Sequence, residues 1–360
     1  MRVLLTGGAG YVGSHVLVEL LTAGHAVHVL DSLITGHAQA LERVQALTGQ
    51  DFGVTQADIR EPAALRRLLD GFHPEAVVHC AGLKSPAESL RHPELYHDVN
   101  VDGTATLMAA LGTTSCRRLV FSSSAAVYGP LERLPVDENH PLRPTTPYGV
   151  SKAAAETMLD AAAAADPDWS IASLRYFNPV GAHPSARIGE HPVDPPDNLM
   201  SGIAAVARGR LPMLPVFGDD FETADGTGVR DYLHVMDLAR AHIDALAWTG
   251  RMPGARAFNL GTGTGISVRE MVAGFEAASG RPIPLGIVAR RQGDVAVCYA
   301  DPGRAGFELG WVARAGLAEM CTSTWAFIRE NPQGYVPEAP RVGAASDHPA
   351  RVSKAPLTSQ

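Results

Sequence analysis

A glycine-rich stretch, Thr6 to Gly13 (TGGAGYVG), follows almost at once on the apolar run Val3-Leu4-Leu5. Gly7, Gly10 and Gly13 stand at G-x-x-G-x-x-G spacing. That pattern suits a turn from a buried strand into a helix whose backbone must approach another group closely. No Cβ stands in the way, amide N–H groups are free, and a helix N-terminus attracts a diphosphate. A second apolar run, Ala26 to Leu30, ends in Asp31. The acid lies near the ~20-residue spacing of the carboxylate that binds adenosine ribose hydroxyls in dinucleotide sites. A carboxylate there repels a 2′-phosphate, which favours NAD over NADP. A glycine turn by itself could merely join strand to helix; the strand before, the helix after and the acid together favour the nucleotide.

Beyond this turn the chain alternates strand and helix up to about residue 120. The expected helices are Ser14 to Ala23, Pro62 to Phe72 and a long one from Pro93 to Leu111. The expected strands are Gly53 to Asp58, Ala76 to Cys80 and Arg118 to Ser122, with Ala81 to Ser89 a loop. The run Ala76 to Cys80 is too short for a helix and reads as a buried parallel strand. Repeated βα units with right-handed crossovers predict a doubly wound parallel sheet of the α/β class. A helix from Tyr148 to Ala165 and a strand from Ser170 to Tyr176 continue it. From Asn178 the composition changes, with Pro, Gly, His and Asp crowding Pro179 to Asn198. We therefore expect a nucleotide-binding domain over 1–178 and a smaller α/β substrate domain over 179–335, with segments near 231–262 returning to the first. The tail 336–360 has no apolar period and is expected to be disordered.

The totals exclude several classes. A net charge of −8 gives no basic footprint for nucleic acid. Cys80, Cys116, Cys298 and Cys321 are widely spaced. They argue against structural zinc and fit free thiols in a reducing compartment. No signal peptide fits before the first strand and no run approaches 18 uncharged apolar residues, so a cytoplasmic protein without a membrane span or metal is expected.

Two further stretches carry chemistry. Tyr148 and Lys152 (YGVSK) are four apart near a helix start, on one face. Tyrosine is a poor base at its usual pKa of ~10. A neighbouring ammonium and an oxidised nicotinamide ring would favour the phenolate. Lowering the pKa by about three units takes ~4 kcal/mol, within reach of two nearby charges in a partly dry site. A Y-x-x-x-K pair also occurs by chance in helices. The serine run in SSSAAVYG (122–129) makes it more specific, because it ends a strand where ligands bind in such sheets. Ser124 is best placed to bond a substrate hydroxyl and share its proton with Tyr148; otherwise such a run is a polar turn or helix cap.

With these stretches in view the chain resembles the extended short-chain dehydrogenase/reductases, and within them the 4-epimerases of UDP-hexoses. The resemblance covers residues 1 to about 335. It rests on TGGAGYVGSH, AGLK (81–84), SSSAAVYG, YGVSK, RYFNPVGAHPS (175–185), NLM (198–200), DGTGVRDYLHVMDLA (225–239) and RRQGD (290–294). It implies that Tyr11 and Val12 meet the NAD diphosphate and that Asp31, with Ser32 and Thr35, holds the adenosine ribose. Asp58 and Ile59 would flank the adenine, and Cys80, Ala81, Gly82 and Asn100 would line the cofactor, with Lys84 reaching a phosphate. Tyr148 and Lys152 would hold the nicotinamide ribose and act with Ser124, beside Phe177. Asn178, Asn198 and Leu199 would meet the UDP-sugar, and Val216 and Phe217 the uracil. Arg230, Arg291 and Asp294 would grip its diphosphate and ribose, a role suited to the guanidinium fork.

Ser32, Thr35 and Cys80 depart from the common bacterial pattern of two asparagines and a phenylalanine, and Val99 replaces a polar residue of some members. Cys298 departs most informatively. A bulky tyrosine there goes with unmodified hexoses, so a small residue leaves room for an N-acetyl group at sugar C2. The resemblance also implies a homodimer in which the Tyr148 helix, with its small alanine face, meets the Pro93–Leu111 helix across a two-fold axis. Rivals within the fold are a nucleotide-sugar dehydratase and a UDP-glucuronate decarboxylase. The first lacks its acid here, since Ala125 and Ala126 follow Ser124; the hexose-type stretches argue against the second. A catalytically dead NAD sensor is the rival of another class, opposed by intact Tyr148, Lys152 and Ser124.

Overall fold

The computed structural model describes residues 1–191, 195–291 and 294–335. The tail expected to be disordered lies outside the described residues. Strand β1 (Arg2–Thr6), helix α1 (Tyr11–Thr22), β2 (Ala26–Asp31), α2 (Ala38–Thr48), β3 (Gly53–Gln56), α3 (Pro62–Phe72) and β4 (Ala76–His79) come in turn. A one-turn helix α4 (Pro86–Ser89) follows, then α5 (Pro93–His97), a π-helical turn (Asp98–Asp102) and α6 (Gly103–Leu111). Next come β5 (Arg118–Ser122), α7 (Pro147–Ala165) and β6 (Ser170–Tyr176). The later part holds β7 (Asn178–Val180), α8 (Leu199–Ala207), β8 (Leu214–Phe217), β9 (Val229–Arg230), β10 (Tyr232–His234), α9 (Val235–Trp248) and β11 (Gly254–Leu260). It closes with β12 (Ile266–Ser267), α10 (Val268–Ser279), β13 (Leu285–Val288), β14 (Val297–Cys298) and α11 (Leu317–Glu330).

Seven strands form one parallel sheet in the order β11-β6-β5-β4-β1-β2-β3. Successive side chains of a strand point to opposite faces, and here they divide the core in two. Val3 and Leu5 pack with Val16 of α1 and Leu238 of α9; Leu4 packs with Leu65 of α3, Leu107 of α6 and Leu159 of α7. The sheet is thus doubly wound, as the alternating pattern predicts. The order reverses where β1 lies between β2 and β4, and ligands in such sheets bind outside the carboxyl ends at that point. From the later part of the chain, β11 pairs with β6 from Gly254↔Ser170 to Leu260↔Tyr176, and α9 packs on α1. The remaining strands make small sheets, β10-β7, β12-β9-β14 and β13-β8, over a core built from α8, α10 and α11.

The boundaries differ from expectation in instructive ways. Helix α1 begins at Tyr11 rather than Ser14, with Gly10 at its N-cap and no side chain capping it. The long helix from Pro93 is broken by a π-helical turn, whose extra residue leaves no mark in the apolar period. Within the expected 81–89 loop Ser85 caps α4, and β3 ends at Gln56. Helix α2, which the apolar pattern did not predict, buries only Ala40, Leu41 and Val44, a stripe too thin to stand out. Among the described residues no helix is long and apolar enough to cross a membrane.

Candidate active site

The glycine turn meets the steric demands that the sequence suggested. Gly7 has φ +75°, and a Cβ there would lie 2.6 Å from the Ala81 amide nitrogen. A Cβ on Gly13 would lie 2.0 Å from the Gly7 carbonyl oxygen, whereas one on Gly10 would meet only that oxygen, at 3.4 Å. The turn is packed tight below and open above. With no capping side chain, the first-turn amides of Tyr11, Val12 and Gly13 are left for a ligand. Asp31 is 7% exposed and accepts the Ala9 amide at 2.8 Å and the Leu33 amide at 2.9 Å. Each oxygen retains lone-pair capacity for a ribose hydroxyl. These features fit an adenine dinucleotide, with the diphosphate at Gly10–Val12 and the ribose at Asp31.

Around the turn, Ser32 is half-buried and Thr35 exposed. Asn100 sits on the π-helical turn, buried. It accepts the Leu83 amide at 2.8 Å, donates to the Leu83 carbonyl at 3.1 Å and reaches Ser151 at 3.0 Å. The π turn thus ties the Cys80–Lys84 loop to α7. Gly82 (φ +154°) leaves room for the Asn100 carbonyl, which a Cβ would crowd at 2.8 Å. Ala81 donates to Thr6 Oγ1 at 3.3 Å. Burial pushes the Cys80 thiol up to about 11, and its sulfur lies 3.2 Å from Ser122 Oγ.

Two of the expected cofactor residues already have partners within the chain. The Lys84 Nζ pairs with Glu190 Oε1 at 2.7 Å. The Asp58 carboxylate accepts from Arg60 at 2.6 Å, and that hydrogen bond lowers its pKa. Arg60 also reaches Asp98. Only Ile59 of that pair is free of polar engagement, and it is buried in the core.

At the carboxyl end of β5 stands the expected catalytic trio. Helix α7 starts with Thr146 as N-cap, its hydroxyl accepting from Gly149 at 3.1 Å, and with Pro147 at the first position. That fixes Tyr148 and Lys152 on one face, both buried. Lys152 Nζ donates to the Ser122 carbonyl at 2.9 Å and lies 4.8 Å from the Phe121 ring centroid. Ser124, also buried, accepts the Ala126 amide at 3.2 Å.

In the chain alone, burial dominates the electrostatics of Tyr148. Burial raises its pKa; a hydrogen bond from Ser124 and the charge of Lys84 oppose that rise. Burial lowers the pKa of Lys152 to about 8, so it remains largely an ammonium at neutral pH. Without a further positive charge in the site, Tyr148 stays a phenol at neutral pH.

Of the expected substrate-side residues, Arg230 and Cys298 lie on β9 and β14, with Asp294 beside Arg230. Arg291 stacks on Phe217, its guanidinium carbon 3.6 Å from the ring centroid. Val216, beside Phe217, is buried in β8. Arg230 donates to the Val229 carbonyl at 2.9 Å and lies 3.9 Å from Asp294, whose amide reaches the Arg291 carbonyl at 3.3 Å. Cys298 pairs with Arg230 across β14 and β9, and packs on the cluster that holds Phe177, Val127 and Tyr128. Asn178 is exposed at the start of β7. Asn198 caps α8, its Oδ1 accepting from Ser201 at 2.8 Å, just ahead of Leu199. Its amide nitrogen points to Glu190, 3.1 Å away. Among the described residues no group of three or more His, Cys, Asp or Glu is placed to hold a metal ion.

Comparison with known proteins decides the family. Residues 3–261 match the NAD dependent epimerase/dehydratase family. The chain belongs to that family. UDP-glucose 4-epimerase of Bacillus subtilis is 49% identical over 335 residues, 93% of this chain and 99% of that protein. Among solved structures, UDP-glucose 4-epimerase from Stenotrophomonas maltophila, with bound NAD and formylated UDP-arabinopyranose, has a TM-score of 0.90 and 48% identity. The match covers 92% of this chain and 99% of that one. The Bifidobacterium longum UDP-glucose 4-epimerase in complex with NAD+ and UDP also has a TM-score of 0.90, at 42% identity, covering 93% and 100%.

In this epimerase/dehydratase family member, several polar partners around the site residues carry no signal in the sequence. Ser122 contacts His242 of α9 at 2.9 Å. Ser123 donates to Glu156, which is paired with Arg175 at 2.6 Å. Glu190 engages both Lys84 and Asn198. None of these pairs lies close enough in sequence to form a motif.

Proposed function

We propose that this chain interconverts UDP-galactose and UDP-glucose by inverting sugar C4 through a 4-keto intermediate, using NAD. The observation that carries the reading is the meeting of Tyr148, Lys152 and Ser124 at the carboxyl edge of β5, beside an uncapped glycine turn. Tyr148 takes the proton of the 4-hydroxyl through Ser124 and later returns it. Gly10–Val12 and Asp31 would hold NAD, which would supply hydride exchange at C4 and a cationic ring. That charge is what the buried phenol lacks in the chain alone. Arg230, Arg291 and Asp294 hold the UDP diphosphate and ribose with Phe217 at the uracil. This grip is remote from C4, so it persists while the hexose turns over. In this division of labour residues 1–178 bind NAD and 179–335 the UDP-sugar, with 231–262 returned to the large sheet. Lys84, paired with Glu190, reaches a phosphate only by exchanging partners.

Cys298 supports a wider substrate range. A thiol packed beside Phe177 leaves volume that a larger side chain would fill, so the pocket also takes UDP-N-acetylhexosamines. One coupled assay tests both readings, with UDP-galactose and separately UDP-N-acetylgalactosamine, on protein without added NAD. Turnover of both is expected. Turnover of the first alone removes the Cys298 reading, and turnover of neither, even with NAD supplied, removes the epimerase.

The chain is also proposed to form a homodimer through α7 and the α5–α6 helix, which pack together within one chain. Val150 on α7 and Leu95 on α5 are 49% and 41% exposed, apolar groups suited to a partner helix. Light scattering at micromolar concentration should read two chains; one chain's mass refutes it.

A further inference from the structure

The run Ser122-Ser123-Ser124 offers three adjacent hydroxyls, and they meet three different environments. Ser122 is 1% exposed and turns to the α9 face of the sheet, where its Oγ lies 2.9 Å from His242 Nε2. His242 Nδ1 lies 2.9 Å from the Leu238 carbonyl, which only accepts, so the ring proton is on Nδ1 and Ser122 donates to Nε2. Ser123 is fully buried and turns to the opposite face, donating to Glu156 of α7. Ser124 stands at the edge, beside Tyr148.

Glu156 follows Lys152 by one helical turn and Tyr148 by two, on one stripe of α7. Its carboxylate is held by Arg175, whose Nε lies 3.1 and 3.0 Å from the two oxygens. Arg175 Nη1 goes on to the Tyr128 hydroxyl at 3.1 Å and the Glu138 carbonyl at 3.2 Å. The Tyr128 hydroxyl donates to Asn259 at 2.6 Å. So β5, β6, α7 and the 125–138 segment are locked to one buried ion pair, with side chains 8% and 3% exposed. A buried ion pair adds little net stability compared with apolar residues of the same volume. What it does supply is a fixed direction for each group it touches.

We infer that Ser123, clamped by the Glu156–Arg175 pair, is a positioning residue that sets the Ser124 hydroxyl against Tyr148. The clamp leaves one hydroxyl of the run for the reaction. It ties the loop that carries Ser124 to the same helix stripe that carries Tyr148 and Lys152, so loop and helix move as one body. Ser123 touches neither sugar nor cofactor in this arrangement, and it acts only through its neighbour. The inference rests on the proposed role of Ser124.

A double-mutant cycle on the full-length enzyme tests it, with Ser123→Ala, Ser124→Ala and both together. Initial rates with UDP-galactose give kcat and KM for each, and thermal melts check folding. Ser123→Ala should lower kcat on the order of 10-fold with KM unchanged, since small misplacements of a reacting group are costly. In the Ser124→Ala background the same change should cost almost nothing, because the residue it positions is gone. Full additivity of the two losses would show that Ser123 acts elsewhere and overturn the clamp. If Ser124→Ala alone left kcat intact, the proposed role of Ser124 would fall, and the clamp with it. Should Ser123→Ala melt too early to assay, Glu156→Gln replaces it in the cycle. Gln keeps a carbonyl acceptor for Ser123, so the loss should be smaller than for Glu156→Ala yet again vanish without Ser124; persistence there overturns the inference.

Discussion

Lys152 carries its charge in a place that resists it. Its ammonium is buried against the Phe121 ring and donates to a single backbone carbonyl, that of Ser122. Burial lowers its pKa to about 8, against the upward pull of Cys80 and Glu156. As pH rises through that value the ammonium is lost, and with it part of the positive field that a Tyr148 phenolate needs. The kcat profile should therefore fall on the alkaline side from about pH 8. Lys152→Arg keeps a charge throughout, because a guanidinium does not titrate in this range. That variant should be slower, by roughly 100-fold if the longer fork displaces its neighbours by 1 Å, but should show no alkaline fall. An unchanged limb in the Arg variant would assign it to another group. The groups facing Lys152 are His79 and Cys80 at the end of β4, Glu156 and Tyr148 on α7, and Ser122 on β5. His79, held neutral by burial with a pKa of about 3, adds no charge in that range.

The turn between β1 and α1 is the element whose geometry tolerates least. A methyl on Gly13 would sit 2.0 Å from the Gly7 carbonyl oxygen, with backbone on both sides and nothing flexible to give way. Gly13→Ala should cost about 1–3 kcal/mol and displace the Tyr11 and Val12 amides, so the purified protein should carry less NAD. Enzymatic assay of NAD released on heating, beside a thermal melt, measures both. A methyl on Gly71 of α3 would meet nothing within 4 Å, so Gly71→Ala is the control and should leave NAD content unchanged. Equal NAD in Gly13→Ala and the parent would refute the cradle. Elements of this kind were legible in the sequence because their meaning is local: the glycine spacing, Asp31 at the end of its strand, Tyr148 and Lys152 one turn apart. What stayed hidden acts across distance. Lys84 meets Glu190, Ser123 meets Glu156 and Ser122 meets His242 only once the sheet is assembled. The π-helical turn hid for another reason: it adds one residue to a turn without altering which residues are apolar, so Asn100 reads as an ordinary helix position.

Across the whole molecule, three fully buried histidines hold no charge, and two of them join layers. His15 on α1 has Nδ1 2.7 Å from the Tyr11 carbonyl, while its Nε2 has no partner among the described residues. His79 on β4 bridges Thr6 at 2.7 Å and Thr104 at 3.0 Å, and His242 on α9 bridges Leu238 and Ser122. Burial lowers their pKa values to about 3, 3 and 4. An unfolded histidine titrates near ~6.5. Below that pH the unfolded chain binds protons that the folded chain refuses, so stability falls on acidification until the folded values are reached. Each histidine contributes about 1.4 kcal/mol per pH unit in this window. Three acting together take about 4 kcal/mol between pH 6 and 5, a large share of a typical 5–15 kcal/mol. Thermal melts at pH 7, 6 and 5 should show a small first drop and a steep second one. His79→Gln keeps a side chain that can donate and accept between Thr6 and Thr104 but cannot titrate there, so its second drop should be shallower by about 1.4 kcal/mol. Melts that stay level from pH 6 to 5, or a His79→Gln slope equal to the parent's, would mean that these rings accept protons in the folded state and that the layers open to admit them.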